Sequence, residues 1–166
     1  MKHAYIIVIA FFLAGCDKGI SPNQPSSAKT GFAGSVTFVN APAPTDTIFD
    51  LRVVAVPYYP IDTSVNTLIT KILGGAIPFS PSLPLIVDSG FVANYELDVS
   101  AKEYDYVAIV QRYGIDYFHD WRVLSFYGFD STSSVPKTVT VKGGEFLSNI
   151  NMTVDFHHLP PQPFVQ

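Results

Sequence analysis

FVANYELDV, residues 91–99, decides the fold class. Phe91, Ala93, Tyr95, Leu97 and Val99 hold alternate positions, and Val92, Asn94, Glu96 and Asp98 fill the places between them. Successive side chains of a strand point to opposite faces, so this stretch predicts a strand with one apolar and one polar face. The same period of two recurs toward both ends of the chain. In FAGSVTFV, residues 32–39, Phe32, Val36 and Phe38 share a face, with Gly34 between them. In NINMTVDF, residues 149–156, Ile150, Met152, Val154 and Phe156 alternate with Asn149, Asn151, Thr153 and Asp155.

Four further segments read as strands. FDLRVVAV (49–56) alternates and then becomes apolar on both faces, as does YDYVAIVQRY (104–113) in its middle. Such stretches suit strands near a sheet centre. WRVLSFYG (121–128) is another, and VPKTVTVK (135–142) places Val135, Val139 and Val141 on one side. That makes about seven strands with turn residues between them and hardly any helix. One-sided strands must bury their apolar faces, and without helices the second layer is another sheet. The expected fold is an all-β sandwich.

Residues 57–89 interrupt the pattern with a long irregular connection. DTSVNTLITKILGG (62–75) predicts one short helix, capped by Asp62 or Ser64 and closed by Gly74 in a left-handed turn. Val65, Leu68, Ile69 and Ile72 fall on one of its faces. PFSPSLPLIVDSG (78–90) is apolar, but its prolines bar it from a sheet interior. The connection is either a cover over the sandwich or a docking surface. We expect a cover, because monomers rarely expose large apolar patches.

The N-terminus carries an address. A short polar start precedes AYIIVIAFFL, residues 4–13, about half the length needed to cross a bilayer. A positive start, a short apolar run and small residues before a cleavage point describe an export signal. LAGC, residues 13–16, contains the chain's only cysteine and resembles the lipobox of bacterial lipoproteins. The resemblance implies a signal peptide at 1–15, cleavage before Cys16 and acylation of Cys16, with the protein held in the bacterial cell envelope. A thiolate is the nucleophile such acylation needs, and several acyl chains hold a protein on a bilayer where one does not. Asp17 resembles an inner-membrane retention residue of enteric bacteria; membrane and leaflet stay open. Residues 16–30, rich in Ser, Pro and Gly, are expected to tether the lipid to a domain over 31–158, with a proline-rich tail at 159–166.

Composition narrows the function. Without residues 1–15 the chain loses one lysine, so its formal charge moves from −4 to −5. A mildly acidic chain lacking basic clusters argues against nucleic acid and against docking on anionic lipid. Charged residues make up 14% of the chain, below the roughly 25% of ordinary soluble domains, which accords with β structure rich in Val, Tyr and Phe.

The pieces GFAGSVTF, DLRVVAVP, NYELDVSAKEYDYVAIV, WRVLSFYG and VTVKGGEFLSNINMTVDF together resemble the transthyretin-like sandwiches of carboxypeptidase regulatory-like modules. The resemblance covers residues 31–158 and implies a seven-stranded Greek-key sandwich with an accessory or adhesive role. The 57–89 insertion departs from the compact pattern.

No G-x-S-x-G, H-E-x-x-H, P-loop or paired C-x-x-C occurs, so we expect no enzyme and no cofactor. DTSVN, residues 62–66, echoes a calcium loop but fails at Thr67 and Leu73. His119 beside Asp116 and Asp120, and the neighbours His157 and His158, read as solvated loop residues, and no metal site is expected. YGIDYFHDW, residues 113–121, gathers Tyr113, Tyr117, Phe118 and Trp121 with two aspartates and is the leading candidate for contact with a sugar or a peptide. Trp121 is expected in the core, as a strand-start Trp often is, while Tyr117 and Phe118 read equally as core or as contact residues. Tyr58 and Tyr59 form a second candidate patch. The expected role is a non-catalytic, lipid-anchored envelope protein with a structural or assembly function. A carbohydrate- or peptide-binding accessory module is the alternative, and a protein or glycan is the expected partner.

Overall fold

The computed structural model describes residues 28–43, 46–61, 64–85, 88–130 and 132–163. The export signal, Cys16 and most of the tether lie outside the described residues, as do Asp62 and the end of the tail. Among the described residues no helix is long and apolar enough to cross a membrane.

The chain is mostly strand. In order, the elements are β1 (Gly31–Asn40), β2 (Asp50–Val56), α1 (Val65–Leu73), β3 (Val92–Asp98), β4 (Lys102–Tyr104), β5 (Tyr106–Arg112), β6 (Trp121–Phe126), β7 (Val139–Val141), β8 (Phe146–Leu147) and β9 (Met152–Asp155). β3 runs antiparallel to β1, and β8 and β9 pair with β1 in parallel. A three-stranded antiparallel sheet has the order β2-β5-β6, and β4 pairs with β7.

The alternation in 91–99 places its residues as expected. Ala93, Tyr95, Leu97 and Val99 are buried, while Val92, Asn94, Glu96 and Asp98 are exposed. Phe32, Val36, Phe38, Met152 and Val154 join them in one apolar cluster with Leu51, Val53, Ala55, Val107, Ile109 and Leu124 of the other sheet. The two sheets thus share a core.

Gly34 lies where the chain between β8 and β9 crosses beside β1. A Cβ there would stand 2.0 Å from the Ile150 carbonyl oxygen, so only glycine permits the approach. Asn149, at φ 66°, makes the turn that brings Ile150 in.

Several boundaries differ from the sequence reading. The segment 104–113 is not one strand. Asp105 bends it, so Tyr104 pairs with Val139 and Tyr106 with Val56. Two tyrosines at strand period therefore enter different cores. Val135 does not join Val139 and Val141; it is 68% exposed, in the loop before β7. The two-residue β8 was too short to read from periodicity. Gly74 closes α1 at φ −76° and donates to the Thr70 carbonyl, and the left-handed residue is Gly75, at φ 76°.

Residues on either side of 31–158 also make contacts. Lys29 is ion-paired with Glu96 and Asp98, and the Thr30 carbonyl accepts from Val99 N. Gln162 forms a two-way clasp with the backbone of Val123: its Oε1 accepts from the amide and its Nε2 donates to the carbonyl.

Candidate functional site

The outer face of the β2-β5-β6 sheet also carries a set of buried apolar residues. Val54, Val56, Tyr106, Ala108, Val123 and Phe126 form a second cluster, which includes Ile61, Leu68 and Ile77 of the 57–89 connection. That connection is the expected cover. Ser64 caps α1, its hydroxyl accepting from Thr67 N, and the helix turns Leu68 and Ile69 inward. Beyond the helix the chain runs along β2: Ala55 N donates to the Pro78 carbonyl, Ser80 N to Val53 and Leu83 N to Leu51. The prolines of 78–90 lie in this irregular strip, outside any named strand.

The cover does not fill the space. An apolar recess of about 60 Å³ remains between α1 and the sheet. Its walls are Val65, Leu68, Ile69 and Ile72 of the helix; Val54, Tyr106 and Val123 of the sheet; and Phe79, Tyr117, Trp121 and Pro163 around the rim. Two arginines also border it, both already engaged. Arg52 donates through Nε to Asp50 and through Nη1 to the Ser80 carbonyl, and Arg122 donates to Gln111 and Asp46.

Tyr106 is the unusual wall residue. It is 2% exposed, and its hydroxyl has no hydrogen-bond partner among the described residues. Desolvation pushes its pKa up, and the nearby Tyr59 hydroxyl adds to the shift, so the group stays a neutral donor. Sequence reading treated Tyr106 only as strand. The signal available was a tyrosine two residues after another in an otherwise apolar run, but the bend at Asp105 that separates the two is tertiary.

The expected contact residues fall into two groups at opposite ends of the outer face. Tyr59 stacks on Tyr106 at 5.4 Å, and the ring of Tyr58 sits under Lys71, whose ammonium also donates to the Tyr58 hydroxyl at 3.0 Å. At the other end lie Tyr117 and Trp121, ring to ring at 5.9 Å and nearly perpendicular, with Phe118 against Tyr117 at 79°. The two groups pack at the Tyr106 and Arg112 ends of β5, and Tyr106, Tyr117 and Trp121 border the same recess. Tyr117 and Phe118 meet at 79°, so the four exposed-ring candidates do not form one flat platform. Trp121 is 7% exposed and donates through Nε1 to the Tyr117 carbonyl, which makes it a core residue that also walls the recess. Tyr113 lies near the Arg122 guanidinium, 5.7 Å away, and is not part of the recess wall.

The 113–121 loop is held by its own polar groups. Asp116 Oδ1 accepts from the amides of Phe118 and His119, and Asp120 Oδ2 accepts from the Asp116 amide. The Phe118 amide and the His119 ring hold the Asp116 carboxyl below the usual carboxylate range. Arg112 lies over the rings of Phe49 and Tyr117 and donates to the Gly114 carbonyl, tying the loop to β5. Ile115 at its tip is 87% exposed. Among the described residues no group of three or more His, Cys, Asp or Glu is placed to hold a metal ion.

No family model, curated protein or solved structure matches this chain.

Proposed function

We propose that this chain is a lipid-anchored, non-catalytic envelope module that presents the 113–121 loop to a protein partner. Cys16 carries the lipid, and a transthyretin-like Greek-key sandwich carries the loop. The sandwich reading is supported by the core shared between the β1 sheet and the β2-β5-β6 sheet. In this reading β4 and β8 are short additions to a seven-strand framework.

One observation carries the interaction role. The chain enters the domain at Gly31, beside Asp98 and Phe146. The aromatic loop follows Arg112, at the end where β1 leaves through Asn40 and where Asp46 and Thr47 meet Arg122 and Gln111. Ten residues of β1 lie between the two ends, roughly 33 Å. A domain anchored at Gly31 holds Ile115, Tyr117 and Phe118 away from its membrane. Asp116 and Asp120 already bond within the loop, which leaves an apolar, aromatic tip better suited to a protein surface than to sugar hydroxyls.

Two experiments test this in a bacterial host expressing the full chain. Cys16→Ser is expected to abolish membrane fractionation, lipid labelling and signal cleavage; a soluble, normally processed variant contradicts the anchor. Ile115→Asp with Phe118→Ala is expected to abolish the crosslinks that a photoreactive group at residue 117 makes to another envelope protein, with the circular dichroism spectrum unchanged. Crosslinks that persist, or binding on a glycan array that tracks Tyr117, contradict the loop's assignment.

A further inference from the structure

The solvent face of the β1 sheet goes beyond this reading, since it depends on neither Cys16 nor the 113–121 loop. β8 pairs with β1 as far as Leu147 and Phe32, and β9 resumes the pairing at Met152 and Val36. Between those points β1 advances three residues, 33–35, and the facing chain four, 148–151. The extra residue interrupts the ladder, and Asn149 takes its left-handed φ of 66° there. Bulges of this kind re-aim side chains, often beside a functional site. On the other side of β1, Ala33 stands opposite Glu96 and Ser35 opposite Asn94. Two small side chains thus lie between longer ones on both flanks. An open trough of about 480 Å³ runs over them, walled by Asn94 and Glu96 on one side and by Asn149 and Asn151 on the other. That volume is in the range of small-ligand sites.

The trough offers amides rather than charges or apolar surface. Ser35 donates from its backbone N–H and its hydroxyl to Asn151 Oδ1, at 3.0 and 3.1 Å. A backbone N–H can only donate, so Asn151 turns its oxygen to β1 and keeps its Nδ2 donors for the trough. Asn149 engages the Ser148 hydroxyl through one end of its amide, which leaves the other end open. Asn94 is exposed, and its amide is bonded to no other described residue. Glu96, the one charged group of the lining, is ion-paired with Lys29. Uncommitted amide donors and acceptors held on strands match neighbouring hydroxyls, each of which both donates and accepts. The lining has no cation to hold an anionic ligand and no apolar pocket to take a peptide's side chains. We propose that the trough binds a neutral saccharide, held by hydrogen bonds between its ring hydroxyls and Asn94, Asn149 and Asn151.

The test titrates the isotope-labelled full chain with maltotriose, cellotriose and chitotriose and follows backbone amide shifts by NMR. At least one trisaccharide is expected to shift the amides of 33–35, 94–96 and 148–151 saturably and to leave those of 113–121 unmoved. Asn151→Asp keeps the acceptor that Ser35 uses and removes the Nδ2 donors, and Asn94→Ala removes an exposed amide. Each is expected to weaken that trisaccharide roughly tenfold, the worth of one hydrogen bond. Ile115→Asp with Phe118→Ala, which disables the loop tip, is expected to leave saccharide binding unchanged, so the two readings fail separately. The proposal is overturned if no trisaccharide gives saturable shifts, if either amide variant binds as tightly as wild type, or if the shifts fall on 113–121 instead. It is also overturned if trialanine amide binds the same residues more tightly than any trisaccharide, an outcome that assigns the trough to a peptide.

Discussion

The two faces of the β2-β5-β6 sheet both carry buried apolar residues and are covered in different ways. Inward, Leu51, Val53, Ala55, Val107, Ile109 and Leu124 are fully buried against another sheet whose strands alternate to meet them. Outward, Val54, Val56, Tyr106, Ala108, Val123 and Phe126 meet one nine-residue helix and a proline-broken strip. The first interface is built from two periodic surfaces and buries Ile109 completely. The second is covered by a connection without strand periodicity, and it leaves a recess and, among the described residues, a hydroxyl without a partner. Period-matched surfaces close on each other, whereas an irregular cover leaves room.

The largest expected effect breaks the inner face. Ile109→Ala leaves a cavity between two sheets that cannot collapse, and should destabilise the domain by about 4 kcal/mol in denaturant titration. Leu68→Ala makes the same kind of truncation on the outer face, beside space that already exists. It should cost about 2 kcal/mol, and a cost equal to that of Ile109→Ala would erase the distinction. Tyr106→Phe should raise stability by about 1 kcal/mol, because it removes a buried donor that has no acceptor; a loss of stability would mean the hydroxyl is paired.

The smallest effect concerns the edge of the inner core. The Asn40 amide, with His158 and the His157 backbone, holds the Asp155 carboxyl at about 2, against an ordinary value of 3.8. The folded state thus favours the ionised form. That contribution is fully present above the ordinary value and is lost as pH falls toward 2. Asp155→Asn should flatten the stability profile in that window and leave it parallel to wild type at neutral pH.

The contrast between the faces also explains what could be read from sequence. Residues 91–99 were legible because one side of β3 faces solvent, so polarity alternates in print. The face of α1 was legible for the same reason, since Val65, Leu68, Ile69 and Ile72 recur at helical spacing among polar neighbours. The split at Asp105 was not legible: Y-D-Y-V keeps strand propensity straight through a point where the chain changes sheets. Val135 misled because a lone valine before a proline carries no information about its partner. At the site, aromatic character alone does not separate Trp121 and Tyr117, which wall the recess, from Tyr113, which does not. The recess itself has no sequence signature, because Tyr106, Phe79, Ile72 and Pro163 meet only through tertiary packing.

Native-state hydrogen exchange tests the separation of the two cores most directly. The amides of Leu68 and Gly74, bonded to the Ser64 and Thr70 carbonyls, should exchange through a local opening of α1 that costs markedly less than global unfolding. Those of Val107 to Gln111, in the central strand of its sheet, should exchange only with the whole domain. Equal protection across α1 and β5 would make the two faces one cooperative core and contradict the account.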